Sequence, residues 1–327
     1  MALSEEFVAQ HIRRWEETLT TQFYSYRRGW PSRLFHHAPL ENAALILREG
    51  VLRSRNDPNN RKQRDVAAPG VIDNRAQAHS RVRLYFRPKT PTQYNIEGIR
   101  KTGECPNGEE THAPVLVMFV LDARSVLTRG DVLVSDQNMQ RAAAVAAATE
   151  EHFSRIPFEK VYHEGGFGGD DSIKYYRCAE VLPTSPLPLD GCLREVCFRS
   201  EPERETLLTM LGDARAKWAP LCHVSDTLKV FEKRFTFVEA IELTNEGVVF
   251  ALNHRWDRGK IDIRIRAWDE HDRLVLDFYN AAHDAKPATG GRWIFKRALS
   301  DGLYRVTVHL ESHLAFQGNF IVGNSLF

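Results

Sequence analysis

Apolar positions recur at helical spacing through much of the first two thirds of the chain and alternate with polar ones in the last third, so the sequence has two textures. Ser4 to Leu19 predicts an amphipathic helix, with Ser4 as N-cap, acids in the first turn, and Phe7, Val8, Ile12 and Trp15 on one face. A basic aromatic stretch, FYSYRRGWPSRLFHH, follows. Leu40 to Glu49 predicts a short helix that Gly50 ends. Arg53 to Ala78 is polar and carries Asp-Pro-Asn-Asn and Pro-Gly turn signals, which predicts a long loop of the functional or disordered kind. Strands are predicted at Val82–Phe86, Val115–Leu121, Asp131–Ser135, Tyr176–Leu182 and Leu193–Phe198. The Ala-rich run Met139–Phe153 predicts a helix on propensity, as does Glu201–Lys217. A Gly-rich loop, EGGFGGDD, covers Glu164 to Asp171.

From about Ala219 the helical patterns stop. Short alternating segments take over at Thr236–Leu243, Gly247–Leu252, Lys260–Trp268, Arg273–Phe278, Arg292–Phe295, Gly302–His309 and Leu314–Val322. Strands and turns at this spacing predict a β-sandwich. The expected division is a domain over residues 1–217 and a second over 218–327.

Composition narrows the class. Hydrophobic residues at 43% and charged residues at 27% exclude a largely disordered chain. Lys+Arg at 44 against Asp+Glu at 43 gives a net charge of +1, so any nucleic-acid or membrane binding requires a local patch. The cysteines are Cys105, Cys178, Cys192, Cys197 and Cys222, an odd number without CxxC spacing, which argues against a disulfide framework or a Cys-rich zinc site. Free thiols fit a reducing cytosol. The N-terminus, MALSEEFVAQ, is not read as a signal peptide, and the longest apolar run, Ala113–Leu121, falls far short of the ~20 residues of a membrane helix. A cytoplasmic protein is expected.

Four clusters carry possible chemistry: His36-His37, Arg75, Tyr85-Phe86-Arg87-Pro88 and Glu180. Each has an ordinary alternative. His36 also reads as a hydrogen-bonded, partly buried histidine, and Arg75 as a solvated loop residue. Glu180 sits between Ala179 and Val181, where alternation allows either an outward-facing surface group or a buried one with partners. EGGFGGDD lacks the spacing of a phosphate cradle but suits a mobile substrate-reading loop.

Three blocks, in order, resemble the DarT toxins, which transfer ADP-ribose from NAD to a base in DNA. They are FHHAPLENAALILREGVL, DNRAQAHSRVRLYFRPKTPTQYNIEG and YYRCAEVLPTSPLPLDGCLREVCF. The resemblance spans about residues 30–212 and departs at Ala38-Pro39, where the family commonly has Thr-His. It implies an α+β fold, a split mixed sheet of the ADP-ribosyltransferase kind with helices, here followed by the β-sandwich. It implies Glu180 as the catalytic residue and His36, His37, Asn42, Arg75, Tyr85 and Phe86 as NAD-binding residues. Arg87, Lys89, Tyr94, Tyr175, Tyr176 and Arg177 are then expected to meet the nucleic acid. NAD is consumed as substrate, and no metal is required. The acceptor implied is single-stranded DNA, at thymine or guanine, with RNA or protein as alternatives and a non-catalytic nucleic-acid-binding module as the last. A toxin of this kind implies a macrodomain antitoxin as partner, within a toxin–antitoxin or phage-defence system.

The chemistry of the residues agrees with that implication. Loss of nicotinamide develops oxocarbenium charge on the ribose. One carboxylate can hydrogen-bond the ribose and deprotonate the incoming base. Single strands are held by stacking plus charge, which the aromatic and basic residues above can supply.

Overall fold

The computed structural model describes residues 2–64, 66, 80–101, 103–105, 111–253, 259–284 and 292–323. The chain divides into two compact units, each discontinuous in sequence. The first comprises Met1–Asn95, Val117–Cys197 and Ser225–Glu232; the second comprises Ile96–Leu116, Phe198–Val224 and Lys233–Phe327. The expected boundary at 217/218 therefore falls inside a stretch of the second unit. Among the described residues no helix is long and apolar enough to cross a membrane.

The first unit is built on β1 (Arg33–Pro39), β2 (Val51–Leu52), β3 (Leu84–Tyr85), β4 (Leu116–Asp122), β5 (Leu133–Ser135), β6 (Ala146–Ala147), β7 (Glu180–Leu182), β8 (Leu187–Pro188) and β9 (Leu193–Phe198). Its main sheet runs β9-β4-β1-β3-β7-β5-β6, and β2 pairs with β8 apart from it. β4 is buried along its whole length, which is why its sequence is a continuous apolar run. Helix α1 (Glu5–Thr20) begins as expected: the Ser4 hydroxyl accepts from the Phe7 N–H at 3.3 Å, and Glu5 and Glu6 occupy the first turn. Helix α2 (Leu40–Glu49) ends on Gly50, whose φ of 69° is left-handed and whose N–H donates to Ile46 O at 2.8 Å.

Two local expectations give way to tertiary demands. The Ala-rich run is not one helix: Ala146–Ala147 forms β6 beside β5, and helix begins only at Glu150, behind a Thr149 cap. Side chains capture the backbone here. Asp136 Oδ1 accepts from Val145 N at 3.1 Å, Asn138 Oδ1 from Gln140 N at 2.9 Å and Glu180 Oε2 from Met139 N at 2.9 Å. Such bonds compete with the helix ladder, and they override alanine propensity. The strand expected at Tyr176–Leu182 is split into a helix over Ser172–Tyr176 and the short strand β7.

Arg87 organises the part of this unit that follows β3. It was expected at the nucleic-acid surface, yet only 1% of it is exposed. Its Nε donates to Pro88 O at 2.8 Å, Nη2 donates to Glu164 Oε2 at 2.6 Å, and Nη1 donates to His163 O. The guanidinium lies 4.9 Å from the Trp30 ring. Trp30 Nε1 in turn donates to Leu228 O at 3.0 Å, and Gln93 Nε2 to Val230 O at 2.8 Å, which ties Ser225–Glu232 into the unit. A fork with several fixed acceptors suits arginine and not lysine.

The second unit holds β10 (Cys222–Val224), β11 (Val238–Thr244), β12 (Gly247–Leu252), β13 (Lys260–Trp268), β14 (Leu274–Asp284), β15 (Trp293–Lys296), β16 (Gly302–Leu310) and β17 (His313–Val322). Strands β11 to β17 form a β11-β12-β15 sheet and a β14-β13-β16-β17 sheet, both antiparallel. Ile261, Ile263, Ile265 and Ala267 point inward from β13 and meet Val248 and Phe250 of β12 and Val306 and Val308 of β16 in one core. The helix expected over Glu201–Lys217 stops at Leu211, with Gly212 at φ 55°. Its start belongs to this unit: Ser200 Oγ donates to Val238 O at 2.6 Å, and Arg199 Nη2 donates to Pro114 O at 2.6 Å. Arg199 also forms a fully buried ion pair with Glu203.

Two outcomes follow from this packing. Arg87→Leu is expected to lower stability by about 3 kcal/mol, because it takes from Glu164 its 2.6 Å ion-pair partner and leaves backbone carbonyls unpaired inside the fold. Arg87→Lys should recover little of that loss in a urea titration. A chain ended at residue 217 loses the strand that Ser200 holds, and it should melt earlier and aggregate in a thermal scan.

Candidate active site

Strand register brings the chemistry together. Phe35 of β1 lies opposite Tyr85 of β3, Tyr85 lies opposite Glu180 of β7, and Glu180 lies opposite Ser135 of β5. Directly opposed residues share a face, and so does a residue two positions away on the same strand. His37, Arg83, Tyr85, Glu180 and Ser135 thus project from one face of the sheet centre. Four segments that lie far apart in the sequence supply them.

Glu180 is buried with no exposed side-chain surface. The inward reading of its strand therefore holds. Oε2 accepts from the Met139 N–H at 2.9 Å. Oε1 makes no hydrogen bond and sits 3.7 Å from Arg83 Nη1. Burial pushes the carboxyl above the usual carboxylate range, while the Arg83 guanidinium, the Met139 N–H and the Tyr85 hydroxyl pull it back. Burial likewise raises the Tyr85 phenol, and the Glu180 charge adds to it. One carboxylate oxygen is fixed by backbone, and the other is left for a ligand.

The paired histidines divide their roles. The His37 ring stacks on Tyr85 at 5.5 Å with planes 5° apart. Burial, then the neighbouring His36, pushes its pKa down to about 3, so the stack is neutral. His36, one residue earlier, faces the other way and lies 6.0 Å from Phe119. Its Nδ1 is 2.9 Å from Arg83 O. A carbonyl only accepts, so Nδ1 carries the proton and Nε2 keeps its lone pair. Burial lowers its pKa, which fixes that neutral tautomer.

Other expected NAD residues occupy different positions. Both ends of the Asn42 amide are engaged: Nδ2 donates to Arg64 O at 2.7 Å, and Oδ1 accepts from Gln63 N at 2.8 Å and Arg64 N at 3.1 Å. Asn42 therefore anchors the long loop at Gln63–Arg64. Phe86 packs into the core against Phe153 at 5.8 Å and Phe158 at 5.2 Å, since it follows Tyr85 and points away from it. Arg75 lies outside the described residues.

Of the residues expected at the nucleic acid, Arg87 is the internal fork already described. Lys89 faces Glu164 at 3.7 Å and the Tyr26 ring at 5.6 Å. Arg177 Nη2 donates to Gly165 O at 2.6 Å and lies 2.7 Å from His163 Nδ1, so it pins the Gly-rich loop. Burial, followed by repulsion from Arg87, pushes the Arg177 pKa down to about 10. Tyr175 carries the Arg141 guanidinium 3.3 Å from its ring centre, and Tyr176 has Lys160 5.6 Å away. Tyr94 is 43% exposed. Tyr94, Tyr175 and Tyr176 are thus the partly open aromatic members of the set. Among the described residues no cluster of three or more His, Cys, Asp or Glu is placed to hold a metal ion.

Sequence reasoning passed over Arg83 and the Met139 N–H as partners of Glu180. For Arg83 a signal existed, since VRLYF places it two residues before Tyr85. For Met139 none did, because the donor is a backbone group brought close only by the fold.

Comparisons with known proteins converge on one family. The DarT model, described as ssDNA thymidine ADP-ribosyltransferase, matches residues 35–229. Thermus sp. 2.9 DarT in complex with ADP-ribosylated ssDNA gives a TM-score of 0.51 at 19% identity, covering 62% of this chain and 96% of that one. Thermus sp. 2.9 DarT in complex with NAD+ gives 0.49 at 19% identity, covering 62% of this chain and 98% of that one. The first of these shows a shared fold. No curated protein matches the chain. Since the family model covers more than half of its length, the chain belongs to the DarT family of NAD-dependent ADP-ribosyltransferases.

Proposed function

We propose that this chain transfers ADP-ribose from NAD to thymine in single-stranded DNA, with Glu180 as the catalytic carboxylate. The observation that carries this is a fully buried glutamate with one oxygen held by backbone and the other unbonded. A buried carboxylate held in that way is costly to folding and is a mark of a working site. The C1′–nicotinamide bond breaks and its electron pair leaves with nicotinamide. The ring N–H of the base yields its proton to Glu180, and the freed nitrogen pair bonds to C1′. The carboxylate also faces the positive charge developing on the ribose.

The His37–Tyr85 stack offers a flat, neutral aromatic wall for a ring of NAD. His36 is turned to the opposite face and serves the site indirectly, its Nδ1–H holding the Arg83 carbonyl. Arg75 is assigned to the NAD phosphates on the family resemblance, and Asn42 acts by holding the loop. Tyr94, Tyr175 and Tyr176 supply stacking surfaces for the strand. A macrodomain hydrolase that removes the mark is the proposed partner, and the cytoplasm, which holds both NAD and DNA, the proposed compartment.

The test is labelled NAD with single-stranded oligonucleotides of each base, one RNA, and Glu180→Gln. Label on thymine that falls at least about 1000-fold in the variant, with NAD affinity within a few-fold, is expected. Label on protein or RNA alone would displace the acceptor. The pH profile carries a sign. Glu180 must be ionised to act, and its raised pKa means that it protonates earlier as pH falls. Transfer should therefore decline on an acidic limb above the ordinary glutamate value of about 4.3.

A further inference from the structure

Two polar atoms on the catalytic face are shielded from solvent and make no hydrogen bond: Glu180 Oε1 and Arg83 Nη2. Their side chains approach to 3.7 Å, between Nη1 and Oε1, which is too long for a hydrogen bond. Buried polar atoms are otherwise nearly always paired, so an orphaned acceptor beside an orphaned donor marks a place that a ligand completes. The Glu180 carboxylate and the Arg83 backbone are each fixed. Oε2 is tied to Met139 N, and the Arg83 carbonyl receives the His36 Nδ1–H.

We propose that Glu180 Oε1 and Arg83 Nη2 form a two-point reader for a base that presents a ring N–H beside a carbonyl. The inference rests on the function proposed above. The N–H donates to Oε1 and the carbonyl accepts from Nη2. Thymine and guanine present that pair. Cytosine and adenine present a ring nitrogen acceptor beside an amino group, which sets acceptor against acceptor and donor against donor.

Arg83 then serves the reaction as well as the choice of base. When the N–H proton moves to Oε1, negative charge spreads from the ring nitrogen to the adjacent carbonyl oxygen. The guanidinium meets that charge where it develops. Nearby titratable groups leave this work to Arg83. Burial raises the Tyr85 phenol and raises the Cys178 thiol to about 12, and it lowers His37 to about 3, so all three are neutral near pH 7.

The test uses the full chain with Arg83→Gln and Arg83→Lys. Substrates are oligonucleotides of abasic spacers that carry a single T, G, C or A. The intact protein should label T, or T and G, and leave C and A unlabelled. Arg83→Gln should lower kcat about 100-fold and move the acidic limb of the pH profile to higher pH, since Glu180 loses its neighbouring cation. Arg83→Lys keeps the charge and lacks the second N–H of the fork. It should return the limb to its place and leave kcat about tenfold low. A well-folded Arg83→Gln with kcat within threefold, or with an unmoved limb, overturns the reader. Should that variant not fold, an unchanged kcat in Arg83→Lys overturns it instead. Labelling of C or A by the intact protein also overturns the reader while leaving the proposed reaction in place. If the intact protein labels no base, or Glu180→Gln still labels, the proposed reaction itself fails and the reader falls with it.

Discussion

A carboxylate without any exposed surface must be compensated from every side, and Glu180 places that demand on the first unit. The sheet around it meets the demand in part. Register sets Tyr85 and Ser135 opposite it, and the turn after β5 delivers the Met139 N–H. That last bond explains why an alanine-rich run, strongly inclined to helix, remains a turn and a strand edge. The compensation is left incomplete on one side, where Oε1 faces Arg83 without bonding it. Incomplete compensation is unfavourable for folding and useful for binding, because a ligand that supplies the missing donor gains what the empty site lacks.

The charged residues of this unit fall into two kinds. Arg27, Arg87 and Arg177 spend their N–H groups on backbone carbonyls and neighbouring side chains around Glu164 and the Gly-rich loop. They shape the wall of the site from inside. Arg83 instead turns a buried, unbonded N–H toward the catalytic side, with its guanidinium 3.7 Å from the Glu180 carboxylate. Identical residue types thus serve opposite ends, and what separates them is whether the guanidinium lies against Glu164 and the Gly-rich loop or against Glu180.

The second unit draws together three stretches of sequence. A buried Arg199–Glu203 pair, with Pro114 O as a further acceptor, fastens residues 96–116 and 198–224 beside the antiparallel sheets. Such a pair tolerates no partial loss, since either charge left alone inside would be strongly destabilising. This is why a boundary drawn where helical texture ends does not divide the chain as its packing does.

Much was legible in the sequence where local rules act alone. The Ser4 cap, the Gly50 stop, the apolar run of β4 and the alternation of β13 are each dictated by neighbours a few residues away, and all appear as read, whereas β12, expected to alternate, is buried along almost its whole length. The three family blocks likewise identified the reaction class, because chemistry requires particular residues in a particular order. What stayed hidden depends on partners distant in sequence. Alternation allowed Glu180 to face either way, and only the strands on both sides of β7 settled it. Nothing local to Arg87 distinguishes a DNA-facing arginine from an internal fork, nor Asn42 from a loop anchor. Sequence determined which chemical groups the chain carries and which short elements form. Tertiary structure decided which of those groups lose water and which find partners, because burial and pairing belong to the whole fold and to no single segment.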